Sequence, residues 1–235
     1  MLFALLNKKI LSAQTHARSA GIFALVSAVL LLTACASDPV LPKSDPKLMG
    51  TKAGSFDHVL MMPGSGIPAF SRVFIEDPQV TFNKHWLQDF RGDYTDRDLE
   101  RITTTYGEML KKALREGMTE HTSVTVVDSA AEADVIYRPL LRELNIYAPD
   151  LSMPGRTKKY VYEAGNATFD LTLIQAGTDK VIAQFIDHRE TSTHVGSQLE
   201  RTNRVNNARH FRNLMERWTR NLTSYLIDTG TLTPR

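Results

Sequence analysis

Sulfur chemistry is almost absent from this chain: its 235 residues include one cysteine, Cys35. A single thiol excludes an intramolecular disulfide and a cysteine-rich zinc site. Long hydrophobic runs are missing as well. The main apolar stretch, Ile22 to Leu32, spans eleven residues, against the roughly twenty that cross a bilayer as a helix. Charge of one sign is scarce too. The formal net charge is +2, but the stretch ahead of Cys35 holds Lys8, Lys9 and Arg18 and no acid, which leaves 25 Lys+Arg against 26 Asp+Glu. Nucleic-acid binders carry a concentrated basic footprint in the folded domain, so no nucleic acid is expected as a partner. Pro63-Gly64-Ser65-Gly66 lacks the following lysine and helix start of a phosphate loop and reads as a turn. No zinc-binding helix motif is present, and no cofactor is implied. The apolar share of 42% is too high for a disordered chain, and the length fits one domain behind a leader.

The leader is basic, then apolar, then Leu32-Thr33-Ala34-Cys35. An apolar core of this length fits a secretory signal, and the small residues before the cysteine resemble a bacterial lipobox. In that family of signals the cysteine is lipidated and becomes the first residue of the mature protein. The resemblance implies a signal peptide over 1–34 and a covalent membrane anchor at Cys35, which leaves no thiol for catalysis. A buried CH₂ contributes about 0.8 kcal/mol and one chain binds only marginally, so several chains on one cysteine hold effectively permanently. In enteric lipoproteins an aspartate directly after the cysteine favours retention in the inner membrane. Ala36 stands there instead, so the resemblance implies the periplasmic face of the outer membrane. Residues 35–55 scatter Pro39, Pro42, Pro46, Gly50 and Gly54 among polar residues and read as a flexible spacer without a regular ladder. A single domain is expected over 56–235.

Within it, period-two alternation predicts strands at Phe56 to Met62, Phe70 to Glu76 and Gln79 to Phe82, then at Ser123 to Val127 and Asp134 to Tyr147. Pro139 inside the last suggests an edge or a bulge. Ala148 to Lys159 reads as an exposed loop. Val161 to Gln175 and Val181 to Glu190 flank Gly177-Thr178-Asp179 as a hairpin. Leu99, Ile102, Tyr106, Met109 or Leu110, Ala113 and Leu114 recur at helical spacing, with Thr95 as a cap and an end near Gly117. A second helical stripe, from about Leu199, takes in Ala208, Phe211, Met215, Trp218, Leu222 and Tyr225 and stops by Gly230. Helices do not alternate with every strand, so the expected class is α+β, an antiparallel or mixed sheet with two amphipathic helices packed on one face.

Particular stretches resemble the Gram-negative lipoprotein family called domain of unknown function 3313. They are the lipobox at Cys35, Phe70-Ser71-Arg72-Val73-Phe74-Ile75-Glu76-Asp77-Pro78, and Ala133-Asp134-Val135-Ile136-Tyr137-Arg138. Gly165 to Leu173, Thr178-Asp179-Lys180 and Asp187-His188-Arg189 complete them, while Phe56 to Ile67 departs from the family's start. The family carries no established activity, so the resemblance implies an anchored envelope protein and no functional residues.

Two polar groups are candidates for chemistry. Asp187-His188-Arg189-Glu190 with His194 is the densest cluster. Strand alternation puts His188 and Glu190 on one face and Asp187 and Arg189 on the other. It reads as a solvated strand end with an ion pair, the alternative being a cryptic hydrolase built on His188, Asp187 and His194. The closing helix carries Arg209, Arg212, Arg217 and Arg220 away from its apolar stripe. That face can remain solvated or meet an anionic lipid or an acidic envelope protein. The leading expectation is a non-enzymatic, periplasm-facing binding or assembly component, using the arginine face or a sheet edge near Pro139. Beside it stands an auxiliary lipoprotein of an envelope transport or lipid-trafficking complex.

Overall fold

A computed structural model describes residues 49–53, 55–147, 160–161, 163–192, 200–201 and 203–235. Cys35 with its lipobox, His194 and the expected loop at 148–159 lie outside the described residues. The strands are β1 (Met49–Ala53), β2 (Phe56–Met61), β3 (Arg72–Ile75) and β4 (Gln79–Phe82). Two helices follow, α1 (Lys84–Phe90) and α2 (Asp96–His121). Next come β5 (Thr125–Val127), β6 (Val135–Ile146), β7 (Tyr160–Val161), β8 (Glu163–Gln175), β9 (Lys180–Ser192) and β10 (Glu200–Arg201). Helix α3 (Arg204–Asp228) completes the set. The class is α+β, as the residue periods imply.

The main sheet is open and mixed, in the order β1-β2-β9-β8-β6-β3-β5, with β4 also paired to β6. Strands β3 and β4 each run parallel to β6, and β5 runs parallel to β3. The β6–β8–β9–β2–β1 pairs are antiparallel. A small second ladder joins β7 and β10. The spacer expected over 35–55 is corrected at its far end: Met49–Ala53 pairs with β2 as an edge strand. An edge ladder needs donors on one side only and tolerates glycine, so the composition that reads as a spacer is compatible with pairing.

Pro139 is corrected as well. It lies in β6, flanked by β8 on one side and by β3 and β4 on the other, so it is no edge. The carbonyl of Tyr137, two residues before it, accepts the Glu76 N–H from the β3 side. The missing Pro139 N–H therefore faces the break between Ile75 and Gln79, where no strand needs it.

Both long helices cover one face of the sheet. Leu141 and Phe169 are opposite neighbours, as are Tyr137 and Leu173, and these side chains point toward the helices. The Phe169 ring stacks on Trp218 of α3 with centroids 5.4 Å apart, Phe185 meets Tyr225 edge-on, and the Tyr137 hydroxyl lies 3.7 Å from the Met118 sulfur of α2. The helices run in the same direction along their own contact. Tyr106 meets Phe211 edge-on, and further along Gly117 lies under Thr219, where a Cβ on the glycine would come within 2.2 Å of the threonine methyl. Gly117 is thus a close-approach residue, and α2 continues a further turn to His121.

Thr95 caps α2 through a reciprocal box with Asp98. Helix α3 starts at the Asn203 cap, whose side chain accepts from the Asn206 N–H. Helix α1 escapes the sequence periods. Its Asn83 cap accepts from His85 and Trp86, and Trp86 stacks on Phe82 and donates its indole N–H to the Ile146 carbonyl at 2.7 Å.

Candidate functional site

Two of the stretches that carry the family resemblance, 70–78 and 133–138, meet in the fold. Strand β3 lies beside β6, and two ion pairs tie them: Arg72 to Asp134 at 2.8 Å, and Arg138 to Glu76 through two nitrogens at 2.7 and 3.0 Å. Asp134 also accepts from the backbone of Ser71 and Arg72 and from the Ser71 hydroxyl. The Arg72 guanidinium first, and these N–H and O–H donors with it, lower the Asp134 carboxyl to about 2. A carboxylate acidified on folding contributes stability above its unfolded value near 4 and loses it as pH falls toward 2. Asp134 is about a third exposed, so screening reduces the contribution to about 1 kcal/mol. Asp134→Asn is expected to lower the urea midpoint at pH 6 and to leave it nearly unchanged at pH 2. An equal loss at both pH values would contradict this.

The Asp187 cluster divides between the sheet's two faces. Asp187 points to the helices and is fully buried, which corrects the expectation of a solvated strand end. Its carboxylate accepts the Trp218 indole N–H at 2.8 Å, the Arg189 guanidinium and the Asp57 backbone N–H at 3.2 Å. Every strong acceptor direction is used, so Asp187 ties β9, β2 and α3 together. His188 stands on the opposite face. Its Nδ1 lies 2.9 Å from the Thr168 hydroxyl, which also lies 2.9 Å from Glu143. A hydroxyl has one proton; with it directed at Glu143, the His188 ring donates through Nδ1. Beside this chain, buried Asp170 accepts from Gln184 at 2.7 Å and faces Arg142 at 3.3 Å. Burial pushes its carboxyl above the usual range, and the Gln184 bond and Arg142 charge oppose that. Asp187 and His188 therefore do not form one site. Among the described residues, no group of three or more His, Cys, Asp or Glu is placed to hold a metal ion.

The arginine face of α3 is divided as well. Residues 204, 208 and 212 form one i,i+4 row along α3, and 205 and 209 form the next. Together they wall a groove of about 450 Å³ whose other wall is Arg101, Thr105 and Tyr106 of α2. Four arginines, Arg101, Arg204, Arg209 and Arg212, therefore line one cavity, together with Tyr106, Val205 and Ala208. Arg101 lies 3.9 Å from Asp98. The first turn of α3 holds no acid. Val205, between the cations, is 74% exposed. Further along the seam, a second groove of about 320 Å³ sets Glu116, Glu120 and Glu216 around Arg220 and His121. The seam is thus basic toward the start of both helices and acidic toward the end of α2 and the middle of α3. Arg209 and Arg212 belong to the basic groove, Arg220 to the acidic one, and half-buried Arg217 to neither.

Arg101 and Arg204 were not among the sequence candidates. Arg204 was within reach of sequence reasoning, since it extends the 208–212 row by one turn. Arg101 joins only through helix packing.

No family model matches the chain, and no curated protein matches it. The resemblance to domain of unknown function 3313 therefore rests on the residues quoted for it. Several solved structures are similar at low identity. A PelC dodecamer variant from Paraburkholderia phytofirmans is 11% identical, with a TM-score of 0.37 over 74% of this chain and 98% of that one. A DUF330 protein from Xanthomonas campestris is 13% identical, with a TM-score of 0.37 over 72% and 90%. A minor lipoprotein from Acinetobacter baumannii is 15% identical, with a TM-score of 0.24 over 72% and 98%. Among the described residues, no helix is long and apolar enough to cross a membrane.

Proposed function

We propose that this chain is a non-enzymatic lipoprotein of the outer membrane, held by a lipid on Cys35, whose α+β domain recognises an anionic group in the periplasm. The observation that carries the reading is the groove between α2 and α3, where Arg101, Arg204, Arg209 and Arg212 line one cavity. Guanidiniums keep their charge at any physiological pH and match carboxylate and phosphate geometry in pairs. An anionic group seated between Arg204 and Arg212, which lie one turn either side of 208 on the same row, gains charge-assisted hydrogen bonds from both, which is why such a cluster favours ligand over empty groove. The lipobox at Cys35 supports the address, and Ala36 the outer membrane over the inner.

The test is in-cell crosslinking of the anchored chain followed by mass spectrometry. Wild type is expected to capture a discrete set of envelope components. Arg204→Glu with Arg212→Glu is expected to lose at least about tenfold of that capture, as two reversed charges at one site cost more than the 1.4 kcal/mol that makes a factor of ten. Arg217→Glu with Arg220→Glu, outside the groove, is expected to retain it. Equal capture by all three proteins would remove the groove from the account.

A further inference from the structure

The groove's walls are not uniformly polar. Tyr106, Val205 and Ala208 line it beside the four arginines. Val205 is the more exposed of the two large apolar side chains that stand out on the described surface, at 74% against 36% for Tyr147. It follows Arg204 directly, at the start of α3. A free inorganic anion answers the guanidiniums and gives the valine nothing. A phosphoryl group bonded to an apolar tail answers both. In a membrane, that pairing is found at the boundary between headgroup and acyl chain, where cationic side chains meet phosphates and aliphatic ones enter the hydrocarbon margin. An acidic peptide supplies the charge, but its apolar contact depends on its own sequence, whereas every anionic phospholipid offers both.

From this charge and apolar complementarity we infer that the groove takes the phosphoryl headgroup of an anionic phospholipid, with Arg101, Arg204, Arg209 and Arg212 around the phosphate and Val205 against the acyl margin. The inference rests on the anion-recognising function proposed above and names its ligand. It makes Val205 a contact residue, which a purely electrostatic site does not require. The start of α3 is then the part of the domain that meets the bilayer surface.

The test places p-benzoylphenylalanine at position 205 of the full chain, expressed and anchored in a Gram-negative envelope, and at exposed Gln175 as the control. After irradiation, adducts are identified by mass. The expected result is a phospholipid adduct at 205 at least fivefold above that at 175. Arg204→Glu with Arg212→Glu is expected to reduce it at least fivefold, and Arg204→Lys with Arg212→Lys to reduce it less than the glutamate pair does. The lysine pair keeps the charge, so it separates lost recognition from lost folding. Equal lipid labelling at both positions, insensitive to charge reversal, overturns the inference. A protein adduct at 205 that vanishes on charge reversal overturns the lipid and leaves the anion groove standing. So does a result with no adduct in which inorganic pyrophosphate still binds and binding is lost on reversal. No arginine-dependent adduct and no pyrophosphate binding overturn both readings.

Discussion

Asp187→Ala is expected to cost about 4 kcal/mol of folding stability, the largest single loss among polar positions of the described domain. A buried charge pair broken from one side typically costs about 3–5 kcal/mol, and Asp187 is wholly buried beside Arg189. The substitution also strands the Trp218 indole N–H at the centre of the helix–sheet contact and removes the acceptor for the Asp57 backbone. Each stranded donor adds its own desolvation cost. Arg189 is about a third exposed and recovers some hydration, which holds the total below the sum of these effects. Urea unfolding at neutral pH measures it. Asp187→Asn keeps the shape and an acceptor oxygen and is expected to lose about half as much. A change below about 1 kcal/mol for the alanine variant would show that Asp187 does not hold the two layers together.

Gly165→Ala is expected to cost about 4 kcal/mol by a different route. Gly165 opposes Ile146 at the end of the β6–β8 ladder, next to an irregularity in the β8–β9 register. Its φ is +155°, and an added Cβ would stand 1.9 Å from the Asn145 carbonyl oxygen and 3.0 Å from the Phe211 ring. The first neighbour is backbone and cannot swing away. The Gly165 N–H and C=O are both engaged by the Thr191 hydroxyl at 2.9 Å, which hinders a shift of β8. Strain at such a backbone costs about 1–3 kcal/mol and overpacking a similar amount. Thermal unfolding followed by near-ultraviolet circular dichroism would report the loss, because the displaced Phe211 packs on Tyr106. A melting temperature equal to wild type would contradict the geometry.

What was legible in the sequence follows from range. Alternation along β6, β8 and β9 and the stripes of α2 and α3 are local periods, so the class and both long helices follow from spacing alone. Helix α1 is seven residues long, too short to establish a period, and it depends on a ring stack with the strand before it. Strand β1 is stabilised by its partner rather than by its own glycine-bearing sequence. The break beside Pro139 depends on two separate strands, β3 and β4, and one strand's sequence cannot contain it. The candidate site divides in the same way. The i,i+4 rows of α3 are local and supply Arg209 and Arg212. Arg101 reaches the groove because Tyr106 and Gly117 bring α2 against α3. The burial of Asp187 is set by Trp218, 31 residues later.

The central claim is that the basic groove, and not the arginine face as a whole, recognises an anion. The most direct measurement is the arginine Nε–Hε spectrum of the full chain in detergent micelles during titration with inorganic pyrophosphate. The account expects saturable shifts at Arg101, Arg204, Arg209 and Arg212, abolished by Arg204→Glu with Arg212→Glu, and none at Arg217. Shifts of equal size at Arg217 and Arg220, or no saturable shift at the four groove arginines, would contradict it.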